Sequence, residues 1–379
     1  MVKIKNLNKL SQKGIDEILK FGEVVEENED AIVVRSADMH EMELDKNVLA
    51  VARAGAGVNN IPLDKFADKG VVVFNTPGAN SNAVKELTLC GLFIAARDVV
   101  GGVNWVKENK DLDGLAKAVE KNKSKFAGTE ILGKNILVVG LGVIGVKVAN
   151  ACYELGMKVY GYDPYVNVKN ALKLNENVEY ITNYDEVLKD VDYITIHVPL
   201  NPYTKGMVNK DIFNNVKKDV IVLNFSRGEL VNEDDLKEAI LNGVIRKYVT
   251  DFPNNNVANM EKVIAIPHLG ASSEEAEDTC AVMAVNQIKN YIENGTIVNS
   301  VNYPECILNK KKTVNRVTVN FKNLDGVFNA IQKAFENVKV EDVVMKSNNN
   351  YGYAAFDTNE TVDVLKLESV EGVLKVRVI

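Results

Sequence analysis

Three short segments of the chain carry residues that could do chemistry. They read VGLGVIG at 139–145, NFSRGE at 224–229 and IPHLGAS at 266–272. The glycine-rich segment is typical of a turn that holds a dinucleotide, Arg227 can bind a carboxylate through its planar guanidinium, and His268 can accept a proton. Hydride transfer to or from a hydroxy acid needs these three functions, so the segments together predict that reaction.

The glycine segment fits a dinucleotide-binding turn in its spacing and in its surroundings. Gly140, Gly142 and Gly145 follow an apolar strand predicted at 136–139 and precede a predicted helix. The first glycine makes the tight turn, the second lets the backbone approach a pyrophosphate, and the third lets helix and strand pack closely. Asp163 ends the next predicted strand, about 20 residues on, where a carboxylate binds ribose hydroxyls. Since Asp163 would repel a 2′-phosphate, the sequence predicts NAD rather than NADP.

His268 and Arg227 each follow a predicted strand, at 263–266 and 220–224. The carboxyl ends of strands face the ligand crevice of a doubly wound fold, so both side chains are candidates for catalysis. His268 would be a general acid or base, and Arg227 would bind a substrate carboxylate. The alternatives are a structural histidine and an arginine that serves in an ion pair or a helix contact.

The first hundred residues offer a second group of cationic side chains. Arg35, with Ser36 beside it, and Arg53 lie at the ends of predicted strands, and residues 54–57 form a loop of small residues that can present backbone N–H groups to an anion. Two arginines suit a substrate with a second anionic group, such as a phosphate.

Composition limits the classes of function. The chain has 379 residues, 46 % of them hydrophobic, and a formal net charge of -7. It is long enough for two or three domains, and it has neither a basic stripe for nucleic acid nor a polybasic patch for membranes. The four cysteines lack metal-ligand spacing, and the first residues lack an apolar signal core. The sequence therefore predicts no metal, no nucleic-acid or membrane partner, and a cytoplasmic location.

The pattern of strands and helices predicts an α/β fold with three zones. Strands and helices alternate in the first two zones, as in two Rossmann-like or flavodoxin-like doubly wound domains. A predicted helix begins at Ser272 or Ser273 and ends near Asn294. The third zone follows Pro304, and its predicted order βαββαβ indicates a small α+β domain of the ferredoxin-like type.

Together these motifs resemble the D-isomer-specific 2-hydroxyacid dehydrogenases, over nearly the whole chain. The resemblance rests on VRS at 34–36, RAGAGVN at 53–59, FNTPG at 74–78, the glycines at 140–145, GYDP at 161–164, HVPL at 197–200, NFSRG at 224–228 and PHLGAS at 267–272. It implies that His268 accepts the hydroxyl proton while hydride passes from C2 of the substrate to the nicotinamide, and that Arg227 binds the carboxylate.

The resemblance also implies the remaining site residues. Asp251 would be a partner of the nicotinamide carboxamide and a third catalytic residue. Cofactor contacts are implied for Gly140, Gly142, Val143, Ile144, Gly145, Asp163, Val198, Pro199, Phe225, Ser226, Asp251 and Gly270. Substrate contacts are implied for Arg35, Ser36, Arg53, Gly55, Ala56, Gly57 and Asn80.

Three domains follow from the resemblance. A substrate-binding domain would comprise 1–98 and 286–303 and close over the cleft, and an NAD-binding domain would comprise 99–285 and form most of a dimer interface. Residues 304–379 resemble an ACT regulatory domain. Asn323 and Gly326 match the ACT pattern, whereas Phe321 and Asp325 depart from it, so the ligand of this domain stays open. The expected assembly is a homodimer or a homotetramer.

One departure concerns the catalytic histidine. The family pairs it with a glutamate shortly after the position of Asp251, but here the next glutamate is Glu261. We therefore expect either Asp251 or no carboxylate to support His268.

The expected reaction is the NAD-dependent oxidation of D-3-phosphoglycerate to 3-phosphohydroxypyruvate, the first step of serine biosynthesis. One alternative is another D-2-hydroxyacid dehydrogenase or a glyoxylate/hydroxypyruvate reductase. An alternative of another class is an NAD(H)-sensing binding protein of the same fold.

Overall fold

The computed structural model describes residues 1–8 and 10–379. It divides into a terminal unit, Met1–Asn80 with Glu274–Ile379, and a central unit, Ser81–Ser273. The sequence placed the corresponding boundaries at residues 98 and 285. The difference arises because the helix that begins at Ser81 packs its apolar face in the central unit, whereas the helix that begins at Glu274 packs against the first strands of the terminal unit.

The terminal unit begins with a parallel sheet. Its elements are β1 (Val2–Asn6), α1 (Gln12–Leu19), β2 (Gly22–Val25), β3 (Ala31–Val34), β4 (Ala50–Arg53), α2 (Leu63–Ala67) and β5 (Val72–Phe74). The five strands lie in the order β2-β1-β3-β4-β5, which is the flavodoxin-like order. Strands such as β3 are apolar at every position because both faces of a parallel sheet are buried.

The central unit contains a seven-stranded parallel sheet. Its elements are α3 (Ser81–Ala96), α4 (Val99–Glu108), α5 (Leu115–Asn122), β6 (Asn135–Val139), α6 (Val143–Glu154), β7 (Lys158–Tyr162), α7 (Val168–Ala171), β8 (Glu179–Ile181), β9 (Tyr193–Ile196), α8 (Lys210–Asn215), β10 (Val220–Asn224), α9 (Glu233–Leu241), β11 (Ile245–Thr250), α10 (Asn255–Ala258) and β12 (Val263–Ala265). The order β12-β11-β10-β9-β6-β7-β8 is that of a Rossmann fold with one further strand. The predicted α/β class is therefore confirmed.

The rest of the terminal unit consists of a long helix and a four-stranded antiparallel sheet, here called the C-terminal sheet. Its elements are α11 (Glu274–Asn294), β13 (Asn315–Lys322), α12 (Val327–Ala334), β14 (Val340–Ser347), β15 (Tyr351–Thr358), α13 (Val364–Glu368) and β16 (Val373–Val378). The strand order is β14-β15-β13-β16. The predicted order of elements, βαββαβ, is confirmed.

The C-terminal sheet binds the end of α11. Arg316 donates to the carbonyl of Asn294 at 2.9 Å, Arg377 donates to that of Ile292 at 2.8 Å, and the hydroxyl of Tyr353 donates to that of Gly295 at 2.6 Å. The last carbonyls of a helix have no partner within the helix and carry partial negative charge. The two arginines satisfy them and complement that charge.

One pair of helices has the length and composition of a membrane span. Only when α3 and α4 are taken together do they have this length and composition, and the chain bends by 69° at the break between them. Among the described residues, no single helix is long and apolar enough to cross a bilayer.

The ion pair between Arg316 and Asp357 is expected to stabilise the C-terminal sheet, and a substitution can test this. Arg316 is 2 % exposed and donates to both carboxylate oxygens of Asp357, at 2.6 and 2.7 Å. Asp357→Asn removes the charge that compensates a buried guanidinium, so we expect the free energy of unfolding to fall by about 3 kcal/mol. Urea denaturation measures the loss. Asp325→Asn, at an exposed position of the same sheet domain, is the control, and equal midpoints for the two variants would contradict the prediction.

Candidate active site

The glycine turn between β6 and α6 packs without room for side chains. Gly140 has a φ of 94°, in the left-handed region, and a Cβ there would lie 2.5 Å from the carbonyl oxygen of His197. A Cβ on Gly145 would lie 1.8 Å from the carbonyl oxygen of Gly140. Glycine is therefore required at both positions by the close approach of the turn, the helix and the end of β9.

Gly142 differs from these two glycines because the space beside it is open. It precedes α6 with no side chain capping the helix, its φ is -68°, and no described heavy atom lies within 4 Å of the position of a Cβ. The first N–H groups of α6 can thus bind an anion that approaches the backbone closely. Asp163 accepts hydrogen bonds from the N–H groups of Leu141 at 2.9 Å and Tyr165 at 2.8 Å. The turn and the carboxylate fit the pyrophosphate and the ribose of NAD.

The other predicted cofactor residues lie on loops after neighbouring strands. Val143 and Ile144 form the first turn of α6, and Val198 and Pro199 follow β9. The hydroxyl of Ser226, after β10, donates to the carbonyl of Ile196 at 2.7 Å. These positions stay predictions, as does Phe225, whose ring is buried against α3: a Cβ on Gly91 would lie 2.7 Å from it.

A fully buried amide holds the loop that carries Arg227. The side-chain nitrogen of Asn224 donates to the carbonyl of Arg227 at 2.8 Å and to the hydroxyl of Tyr248 at 3.1 Å, and its oxygen accepts from the N–H of Ser226 at 3.2 Å. The side chain of Arg227 is exposed. Asn224 is thus a structural determinant of this loop, and the sequence signal for it was a polar residue at the end of an apolar strand.

Asp251 lies close to both predicted catalytic side chains. It is 1 % exposed, and one carboxylate oxygen accepts from the N–H of Gly270 at 3.1 Å. The other oxygen is buried without a partner among the described residues. Burial raises the pKa of Asp251, while the charges of His268 and Arg227 lower it. A buried oxygen without a partner is suited to accept a hydrogen bond from a ligand.

An aromatic ring that the sequence analysis did not single out contacts both catalytic candidates. The rings of Phe252 and His268 have centroids 4.4 Å apart and are tilted by 47°. The guanidinium carbon of Arg227 lies 5.6 Å from the centroid of the Phe252 ring. The structure therefore brings Arg227, Asp251 and His268 together around Phe252.

His197 has a structural setting. Its Nε2 lies 2.9 Å from the hydroxyl of Thr195, and burial lowers the pKa of the imidazole to about 3. The ring is therefore neutral and packs beside the glycine turn.

Arg35 and Arg53, in the terminal unit, lie at the same edge of the first sheet. Val34, which precedes Arg35, pairs with Arg53 in the register of β3 and β4. The guanidinium of Arg35 forms an ion pair of 2.7 Å with Glu277 of α11, and both side chains are about 40 % exposed. The two predicted anion-binding arginines are thus brought to neighbouring strand ends.

The loop after β3 is held by Asn8. Its side-chain oxygen accepts hydrogen bonds from the N–H groups of Arg35, Ser36 and Ala37 at 3.1, 3.0 and 2.9 Å. Three successive N–H groups therefore converge on one oxygen, an arrangement that orients the Arg35 segment.

The loop after β4 packs against its own arginine. A Cβ on Gly55 would lie 2.5 Å from Nη1 of Arg53, so the guanidinium packs directly against this glycine. The carbonyl of Ala56 accepts from the side chain of Asn75 at 2.6 Å. Gly57 and Asn80 are half-buried, and their predicted substrate contacts stay predictions.

Most of the central unit matches a known protein family. Residues 90–270 match the family described as D-isomer specific 2-hydroxyacid dehydrogenase, NAD binding domain. These residues carry the NAD-binding domain of this family. The predictions of the family and of NAD as the cofactor are confirmed.

Several known proteins are similar in sequence to this chain over most of its length. A D-3-phosphoglycerate dehydrogenase from Methanocaldococcus jannaschii is 33 % identical over 79 % of this chain and 57 % of the relative, and one from Archaeoglobus fulgidus is 33 % identical over 73 % and 52 %. The chain thus spans little more than half the length of these relatives. A solved NAD⁺-bound 3-phosphoglycerate dehydrogenase from Entamoeba histolytica has a TM-score of 0.61 and 24 % identity, covering 79 % of this chain and 98 % of that one. At that identity it shows the fold alone.

Because the space beside Gly142 is open, a substitution there should weaken NADH binding without lowering the stability of the fold. Gly142→Ala keeps an allowed backbone and meets no neighbour, so we expect an unchanged melting temperature. The methyl group would occupy the space for the pyrophosphate, so the Kd for NADH should rise at least about tenfold. Fluorescence titration measures it. Gly145→Ala, which collides with the Gly140 carbonyl, should also lower the melting temperature. Wild-type NADH affinity in Gly142→Ala would show that the cofactor does not approach this glycine.

Proposed function

We propose that the protein is an NAD-dependent dehydrogenase that oxidises D-3-phosphoglycerate to 3-phosphohydroxypyruvate, the first step of serine biosynthesis. The observation that carries the proposal is the grouping of Arg227, Asp251 and His268 beside Phe252 in an NAD-binding domain. The two archaeal relatives named as D-3-phosphoglycerate dehydrogenases support the substrate. The four cysteines are free thiols, in line with the predicted cytoplasmic location.

Each residue of this group has a chemical task. His268 takes the proton of the C2 hydroxyl on its imidazole, which must be neutral to do so. Arg227 binds the substrate carboxylate through its planar guanidinium and orients C2. NAD⁺, when bound, accepts the hydride from C2. The glycine turn and Asp163 hold the cofactor, and the unpartnered oxygen of Asp251 accepts a hydrogen bond from its carboxamide.

The phosphate of the substrate is assigned to the terminal unit. Arg35 and Arg53 provide two cationic side chains at neighbouring strand ends, and Ser36, Asn80 and the loop 55–57 add donors. The ion pair of Arg35 with Glu277 does not oppose this task, because an exposed pair is worth at most about 1 kcal/mol. A phosphate dianion would compete with one carboxylate for the same guanidinium.

We assign the three predicted domains to the observed sheets. The parallel sheet of the terminal unit is the substrate-binding domain, and the central unit is the NAD-binding domain. The C-terminal sheet is an ACT-like regulatory or assembly domain. Its strand order supports this, as does its docking on the substrate-binding sheet: Lys375 donates to the carbonyl of Val48 at 2.6 Å, and Lys322 pairs with Asp68 at 2.9 Å.

A second copy of this chain is the proposed partner. Helix α4 has no buried residue, and its apolar side chains Val99, Val103 and Val106 are each more than 40 % exposed. With α5 they line an apolar groove of about 590 Å³. The family resemblance expects the dimer interface in the NAD-binding domain, where this face lies.

The proposed interface predicts that a charge on α4 prevents dimerisation. Val103→Asp would place an unpaired carboxylate in an apolar contact, at a cost of several kcal/mol, so we expect a monomer where the wild type is a dimer. Light scattering after gel filtration measures the mass. The control is Val168→Asp, which changes an exposed valine of the same unit outside the groove. A wild-type monomer, or a dimeric Val103→Asp variant, would contradict this interface.

The proposed reaction predicts NADH formation from D-3-phosphoglycerate at mildly alkaline pH, because oxidation of the hydroxy acid releases a proton. His268→Asn removes the proton acceptor and should lower kcat about 10²–10⁴-fold without loss of NADH binding. Absorbance of NADH measures turnover, with D-lactate and D-glycerate as comparison substrates. Preference for a comparison substrate would assign a different D-2-hydroxyacid, and tight NADH binding without any turnover would favour the NAD(H)-sensing alternative.

A further inference from the structure

The ring of Phe252 contacts both proposed catalytic side chains, Arg227 and His268. Its centroid lies 4.4 Å from that of the His268 ring and 5.6 Å from the guanidinium carbon of Arg227. Phe252 is half-buried, whereas Arg227 and His268 are exposed. The most firmly packed of the three side chains is therefore the one that the other two share.

The backbone around Phe252 is held on both sides. Its N–H donates to the hydroxyl of Thr250 at 3.1 Å, and Thr250 is fully buried. On the other side, a Cβ on Gly228 would lie 3.5 Å from the Cβ of Phe252, so the two loops are in contact. The end of β11 and the loop after β10 thus fix the position of the ring.

An aromatic ring can orient both neighbours. Its face attracts a guanidinium through the ring quadrupole, and two aromatic rings at this separation attract each other in a tilted arrangement. Unlike a carboxylate, the ring adds no charge, and the loop that follows it carries no glutamate before Glu261. Arg227 and His268 are both exposed, so without a neighbour each side chain would sample several rotamers. The contact with Phe252 restricts these rotamers before substrate binds, which lowers the entropy lost on binding.

We propose that Phe252 is a positioning residue that holds Arg227 and His268 in one mutual arrangement. The proposal rests on the proposed dehydrogenase function. Phe252 contacts Arg227, which is proposed to bind the carboxylate, and His268, which is proposed to take the proton. By fixing both side chains, the ring would hold the substrate carboxylate and the proton acceptor in the relative positions that the reaction needs.

The kinetic test compares Phe252→Leu with Phe252→Tyr. Leucine fills much of the space without a ring, so we expect kcat/KM for the oxidised hydroxy acid to fall about tenfold, with a higher KM and a lower kcat together. Tyrosine keeps the ring and should restore at least half of the wild-type kcat/KM. Phe335→Leu removes a ring pair of similar distance, 4.0 Å, in the C-terminal sheet domain and is the matched control. A lower kcat at unchanged KM, as partial unfolding would produce, overturns the proposal.

A second readout does not depend on turnover. The chain has three histidines, so NMR of the protein labelled at histidine Cε1 gives three resonances, and His268→Asn identifies that of His268. Loss of the Phe252 ring current in Phe252→Leu should shift the His268 resonance and leave those of His40 and His197 in place. An unshifted His268 resonance overturns the contact itself.

The two readouts separate the possible failures. A shifted resonance with wild-type kinetics retains the dehydrogenase and overturns the positioning role. If the wild type turns over no hydroxy acid, the proposed function fails, and the positioning role fails with it even where the resonance shift shows the contact.

Discussion

The parallel alignment of strands in both large sheets decides where chemistry can occur in this protein. When all strands of a sheet run in one direction, their carboxyl ends share one edge, and the loops that follow them lie side by side. In the central unit this edge collects the glycine turn, Arg227, Asp251 and His268 from four different strands. In the terminal unit it collects Arg35 and Arg53. The exposed loops can vary in chemistry because the buried apolar strands beneath them hold their ends.

Polar side chains give these loops their shape. Asn224 binds two backbone groups of the loop that carries Arg227, Asn8 gathers three N–H groups around Arg35, and Asp251 binds the N–H of Gly270. Asn224 and Asp251 are fully buried, and a buried amide or carboxylate must find a partner, so each of these two side chains favours one loop conformation. The glycine turn reaches the same result by close packing, since Gly140 and Gly145 leave no space for another arrangement.

The C-terminal sheet belongs to the terminal unit through charge as well as apolar packing. Arg316 and Arg377 neutralise the negative end of α11, the helix that follows the His268 segment in the sequence, and Tyr353 packs in the same core as Tyr291 of that helix. A buried arginine is stable there because Asp357, the carbonyl of Asn294 in α11 and the carbonyl of Asn309 satisfy its donors together. Changes in the sheet therefore act on the end of α11.

The sequence alone determined the features that depend on local pattern. Apolar β-branched runs between turn residues predicted the strands, the glycine spacing and Asp163 predicted the NAD turn, and positions after strands singled out Arg227 and His268. Local pattern could not show that α3 packs in the central unit, that Asn8 holds a loop 27 residues away in the chain, or that Phe252 lies between the two catalytic candidates. These features were decided only by the tertiary structure, because each depends on which side chains the packing of distant elements brings into contact.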